Sequence, residues 1–541
     1  MADTEENFLA KVSPILLGKT YLIPSPTLPP LERLRRRLTF RNQLYLYGRK
    51  SAFSDQPMIS MFPPTVKFPV VTSEEWFGDT WSGLSFGRDF DFSLPFFEQF
   101  VQLRDVVPHM GRSALYNNNC DYSNNLANSN NCYLVFNSTY ADDCMYGENL
   151  WRSRDCIDCS YVSDCELCYD CTQCERCYNT QSSCNSEGCS DSFYLLSCRS
   201  CRNCFGCVNL RNAEFCVFNK QLSKLEYQQY IASLDLTNRL ERNRLKEEIV
   251  TFWKQHPQPH LMNQHSENVT GNYIFHSNDI ENGFFIRDGE SLVNCSFLYG
   301  GIRDCRDFTF VGLNSELMYE CAWCGLNCVL CRFCMWCLKS EDLLYCWHCV
   351  GCKHCFGCAG LQNEEYCIYN IKYSKLEYEK LLGQIIEHMT ITGEWGQFFP
   401  ISLSPIPYNH SFAERFFPLD ENEVENIGGH WFEKSAPEAK NILDTCPVEI
   451  PDSDEPFVIR SEESGIPFRI TSEEIRICRN RSYPLPTTAY DERIHARAQQ
   501  LGGIRLYAVR CADTGAEIIT NITPESGFSI WNREHYEKTF N

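Results

Sequence analysis

The chain has 541 residues, 43% of them hydrophobic and 22% charged, the make-up of an ordinary globular protein, and its length allows about three to five domains. A formal charge of -21 argues against general DNA or RNA binding, which needs a basic surface; the basic run Arg33-Leu34-Arg35-Arg36-Arg37 is local. No segment reaches the roughly 18 apolar residues of a membrane helix.

The acidic start, Met1-Ala2-Asp3-Thr4-Glu5-Glu6, lacks the basic, apolar, small-residue order of a secretory signal. The expected compartment is therefore the cytoplasm, where thiols stay reduced. That bears on the 34 cysteines, which in a reducing compartment read as metal ligands or small buried core residues rather than disulfides.

In chain order, residues 1–78 read as an N-terminal module and 79–119 as an aromatic wrap. Residues 120–222 form a first cysteine repeat, followed by a helical cap and linker over 223–265. A second cysteine repeat covers 266–372, a second cap with a Pro-rich acidic wrap covers 373–440, and a C-terminal module covers 441–541. Thirty-one of the cysteines fall in 120–216 and 295–367; the others are Cys446, Cys478 and Cys511. In the first block a beat of twelve sets Cys120, Cys132, Cys144, Cys156 and Cys168 in one column. Small or apolar residues fill columns one, four and ten, and Asn and Asp, which tolerate left-handed backbone, favour the last two.

A fixed period with like residues stacked predicts short coils piled along an axis, their thin interior lined by Cys and Ser. The expected fold class is mainly β with α: two tandem β-solenoids of twelve-residue rungs, helically capped and flanked by duplicated small α+β modules. Rows from Leu343, Cys355 and Cys367 repeat those from Ser192, Cys204 and Cys216, whereas 307–328 shows no clear register. Ser223…Glu226 and Ser374…Glu377 are capping boxes that predict helices near 224–234 and 375–389, and a charged helix is expected near 238–254. His256, His260 and His265 lie in a Pro-containing stretch that reads as a solvated linker. The two ends align without a gap at an offset of 460, matching Pro24/Pro484, Arg33/Arg493, Arg37/Arg497, Tyr47/Tyr507 and Ile59/Ile519.

The strings Ile59-Ser60-Met61-Phe62-Pro63-Pro64, Gly87-Arg88-Asp89-Phe90-Asp91-Phe92, Pro95-Phe96-Phe97-Glu98-Gln99-Phe100, Thr392-Gly393-Glu394-Trp395-Gly396 and the Cys-Phe-Gly-Cys rows resemble a family of uncharacterised Cys-rich repeat proteins of uncultivated, small-genome bacteria. The resemblance covers nearly the whole chain and implies no activity. It does imply ribbon-like ends in which two Cys-x-x-Cys pairs hold zinc. Here those positions read Ser51, Ser54, Thr72 and Glu75 in front, and Cys511, Thr514, Asn532 and His535 behind, so neither end supplies four zinc ligands.

Three states of the repeat cysteines stand side by side: a bare thiol core, thiolate metal sites and disulfide ladders. The candidate metal ligands are Cys168, Cys171, Cys174 and Cys177 in one row, Cys346, Cys349 and Cys352 in another, and Cys334 and Cys337 a row below, with zinc the cofactor they would take. No phosphate loop, nucleophile elbow or zincin helix is present, and no catalytic constellation emerges. The expected function is a non-enzymatic structural or scaffold protein that self-assembles or binds a protein partner. The alternatives are a zinc- or iron-thiolate storage or metal-stabilised protein, and a nucleic-acid binder with ribbon-like ends.

Overall fold

A computed structural model describes residues 4–310, 314–320, 332–333, 339–433 and 441–540. The chain divides into two compact units, Met1–Ser113 with Leu261–Phe432, and Ala114–His260 with Glu433–Asn541. Each unit thus joins one repeat to one end of the chain, the front module to the second repeat and the back module to the first.

The first repeat is built on a beat of three. From Asn125 to Phe218 every third residue has a positive φ. A left-handed residue turns the chain, so each rung of twelve has four corners. Side-chain crowding at Cβ makes that conformation costly, most of all for β-branched residues. Asn, Asp, Tyr, Ser and Gly hold most of the corners, and none of the described positive-φ residues is Val, Ile or Thr. Successive rungs pair in parallel at a twelve-residue register, as in Asn118↔Asn130↔Asp142↔Arg154 and Cys204↔Cys216. The side chain just past each corner points inward, which is why the cysteines recur at multiples of three.

The second repeat is less regular. Val269 pairs with Ile280, Phe284 with Ser296, Ser296 with Thr309 and Tyr319 with Arg332, so rungs of eleven, twelve and thirteen residues occur. This variation hid the register of 307–328 from the sequence. One shift lies between Val269 and Gly271, where Gly271 has φ +120° and a Cβ would stand 1.8 Å from the Gly283 carbonyl oxygen. Outside the rungs Tyr273, Phe285, Phe297 and Phe310 stack in a column with ring centroids 5.0–5.4 Å apart.

Both repeats end alike. Lys220–Gln221 folds back antiparallel on Glu214–Val217, and Ile371–Lys372 on Glu365–Ile368. The helices Lys224–Ala232 and Lys375–Ile391 follow, each opened by a reciprocal Ser–Glu capping box. The charged helix runs Arg239–Lys254, with Asn238 accepting from the Leu240 and Glu241 amides. The expected His linker is ordered in part: Pro257–Pro259 pairs in parallel with Ser529–Trp531, and His260 Nδ1 accepts from the Arg533 amide.

These features correct the expected fold class. The described residues contain eleven α-helices, and their strands lie in small parallel, antiparallel or mixed sheets of two to five strands, none closed. The chain is an α/β protein, not a mainly-β protein of two tandem solenoids. Strands of the first repeat never exceed four residues because the next left-handed corner interrupts them. Much of each unit is also helix and wrap. No helix among the described residues is long and apolar enough to cross a membrane.

Candidate functional site: inward thiols and arginine clasps

The inward side chains carry the first element of interest. In the first repeat Cys120, Cys132, Cys144, Cys156, Cys159, Cys165, Cys168, Cys171, Cys174 and Cys177 are all at most 5% exposed. Their thiols are engaged with the backbone. Cys144 Sγ lies 3.2 Å from the Asp142 carbonyl and 3.5 Å from that of Ser153, within donor reach of both. Cys120 Sγ accepts from the Cys132 amide at 3.4 Å, and Cys165 Sγ from the Cys177 amide at 3.4 Å. Serines at inward positions do the same: Ser129 Oγ donates to the Ala127 carbonyl at 2.9 Å and accepts from the Ala141 amide at 3.0 Å. Cysteine here acts as a larger, more apolar serine. It fills the axis while bonding the backbone that each corner exposes.

The predicted ligands fall in place on the rungs but form no tetrahedral site. Cys168, Cys171, Cys174 and Cys177 share one rung, each thiol within 3.6 Å of a backbone carbonyl two residues earlier. Cys346, Cys349 and Cys352 are fully buried and bonded to backbone carbonyls in the same way. Cys334 and Cys337 lie outside the described residues. Among the described residues no three Cys, His, Asp or Glu side chains gather as a three- or four-ligand metal ion requires. Burial pushes the Cys171 and Cys349 thiols well above their ordinary range, and those of Cys184 and Cys295 to about 12, which favours neutral thiols.

The second element is a pair of ionic clasps that the sequence did not announce. In the first unit the helix Pro30–Leu38 is started by prolines at its N-terminus and carries arginines at three-, four- and one-residue spacings. Arg33 and Arg37 sit one turn apart and meet Asp307 at 3.0 and 3.6 Å. Arg37 Nε also donates to Thr309 Oγ1 at 3.0 Å, and Arg36 pairs with Glu320 at 2.8 Å. The basic run is mostly buried: Arg33, Arg36 and Arg37 are 3%, 8% and 1% exposed.

The second unit repeats the arrangement. Arg493 and Arg497, on the helix Tyr490–Gln499, meet Asp158 at 2.9 and 3.1 Å, and Arg497 Nε donates to Ser160 Oγ at 3.0 Å. Arg493 also reaches Glu474 at 3.3 Å, whose other oxygen accepts from Tyr146 OH at 2.8 Å. Burial raises the Glu474 carboxyl. The cavity beside Tyr146, Glu474, Cys478 and Arg493 measures about 10 Å³, room for a single water. The one sequence signal for these clasps was the match of Arg33 with Arg493 and Arg37 with Arg497 at the offset of 460.

The ribbon-like ends show what stands in their ligand positions. Beside the front hairpin, Tyr47–Lys50 with Pro57–Ser60, Ser51 Oγ bonds the Glu75 carboxylate, which also accepts the Thr72 amide at 2.9 Å. A third hairpin, Phe457–Arg460 with Pro467–Ile470, escaped the sequence reading, yet it has the same knuckle: Ser461 Oγ bonds Glu492, which accepts the Ala489 amide at 2.9 Å. In the last hairpin, Tyr507–Arg510 with Glu517–Thr520, Cys511 Sγ accepts the Asn532 amide at 3.2 Å, and His535 turns to Asp513 at 2.6 Å. A Ser–Glu hydrogen bond thus ties two of the three knuckles. Comparison with models of known protein families and with curated proteins found no match to this chain.

Proposed function

We propose that the chain is a non-enzymatic structural or scaffold protein whose cysteines serve as packing and hydrogen-bonding groups. The observation that carries this reading is the double engagement of the inward thiols, buried and bonded to backbone of their own rung and of the next in the same manner as the serines that alternate with them. The buried arginines are likewise spent on joining module to rung rather than facing a cleft. Bonded thiols require reduced cysteines, which supports a reducing compartment. On this reading the partners are copies of this chain or other proteins.

The test is to strip purified protein of metal with a chelator under reducing conditions and follow melting together with sedimentation. A thiol-packed scaffold keeps its melting temperature and its size. A fall of ten degrees or more on chelation, or stoichiometric zinc or iron in the untreated protein, contradicts the reading and revives thiolate metal storage.

A further inference from the structure

The most extended array of like side chains in the second unit is the column Cys120, Cys132, Cys144, Cys156 and Cys168. The rungs that carry it pair at Asn118↔Asn130↔Asp142↔Arg154 on one side and Tyr133↔Met145↔Ile157↔Tyr169 on the other. Successive sulfurs therefore sit one rung apart, about 4.8 Å along the stacking direction. All five residues are at most 5% exposed.

This spacing decides which ion fits. Four thiolates around tetrahedral zinc, at bonds of about 2.3 Å, stand about 3.8 Å apart and must converge from four directions. A column gives each gap two sulfurs, one above and one below. Two thiolates on opposite sides of an ion at bonds of about 2.3 Å stand about 4.6 Å apart, close to the rung spacing. Thiolates are also the soft donors that select copper(I).

We propose that the column Cys120–Cys132–Cys144–Cys156–Cys168 is a binding site for a thiophilic monovalent ion of the copper(I) class, held two-coordinate between the sulfurs of successive rungs. Each entering ion forms two metal–sulfur bonds and displaces one thiol proton to solvent, with no change of oxidation state. Ions in all four gaps leave four thiolates and one thiol, so the filled column is neutral and places no net charge in the core. The inference goes beyond the scaffold reading, since a scaffold that folds without metal can still take up such an ion.

The test is to produce the full chain in copper-supplemented medium, so that the ion is present as the core closes, and in zinc-supplemented medium as a control. Protein purified without oxygen is passed over a copper(I) chelator, then assayed for metal per chain and for sulfur neighbours by X-ray absorption. The expected result is retained copper with two sulfur neighbours and no retained zinc. Cys144→Ser, which removes the two middle gaps, should lower the copper by about half. Cys184→Ser, a buried cysteine off the inward positions, should leave it unchanged. Serine already occupies inward positions 129, 138 and 153, and Cys132→Ser offers an independent cut should Cys144→Ser fail to fold. No copper retained, three or four sulfur neighbours, or full loading in both column variants overturns the proposal.

Discussion

Replacing Asp158 by Ala tests the clasp of the second unit. The carboxylate is 5% exposed and neutralises two guanidiniums, Arg493 at 2.9 Å and Arg497 at 3.1 Å. Arg493 keeps Glu474 at 3.3 Å after the change. The stranded charge is then mainly that of Arg497, which retains only Ser160 Oγ and the Tyr146 carbonyl. Breaking a buried pair by removing one partner costs about 3–5 kcal/mol, and one stranded cation argues for that range rather than twice it. Urea unfolding followed by circular dichroism measures the loss. Arg497→Met added to Asp158→Ala removes the stranded charge and should recover about 2 kcal/mol of it. A loss below about 1 kcal/mol, or a double variant as unstable as the sum of the two single ones, refutes the claim that this ion pair fastens the helix to the rung.

Three further expectations bear on the core and corners. Cys144→Ser should change stability by less than about 1 kcal/mol, because serine makes the same backbone bonds, whereas Cys144→Val leaves buried groups unpaired and should cost about 1–3 kcal/mol in the same unfolding assay. Asn137, a corner with φ 49°, should tolerate Gly but lose about 1–2 kcal/mol on replacement by Val, read as a drop in melting temperature. His109 is fully buried, and burial lowers its pKa to about 3. The unfolded chain takes up that proton below about pH 6.5 while the folded chain does not, so stability falls with acid by about 1.4 kcal/mol per pH unit from pH 6.5 down to about 3. His348, also held neutral by burial, adds to the slope; His109→Phe should flatten it, and an unchanged slope would show that His109 is not its source.

How much of this was legible in the sequence depended on local chemistry. The capping boxes at Ser223 and Ser374 placed two helices, because a Ser three residues before a Glu acts within one turn. The inward thiols were legible as a spacing of three, since every corner is identical. The fold class was not, because the same corners that set the beat cut the strands to four residues and keep the sheets small. The second repeat hid its register where rungs lengthen to thirteen. The third hairpin near Ser461 carries neither cysteine nor a place in the 460-residue offset, so nothing in its composition marked it. The burial of the arginines of Pro30–Leu38 was not legible because charge alone does not say that Asp307 and Glu320, nearly three hundred residues away, stand opposite. Nor could spacing show that the front module joins the second repeat.

The most direct measurement is a thiol count on freshly purified protein, made without added reductant or metal, first native and then in denaturant. All 28 cysteines of the described residues are buried and unpaired by disulfides. The structure therefore predicts that no more than the six remaining thiols react promptly in the folded chain, and that all 34 react once it is unfolded. Prompt reaction of many thiols in the folded protein, or a denatured count well short of 34, would contradict a core of reduced, inward, backbone-bonded cysteines.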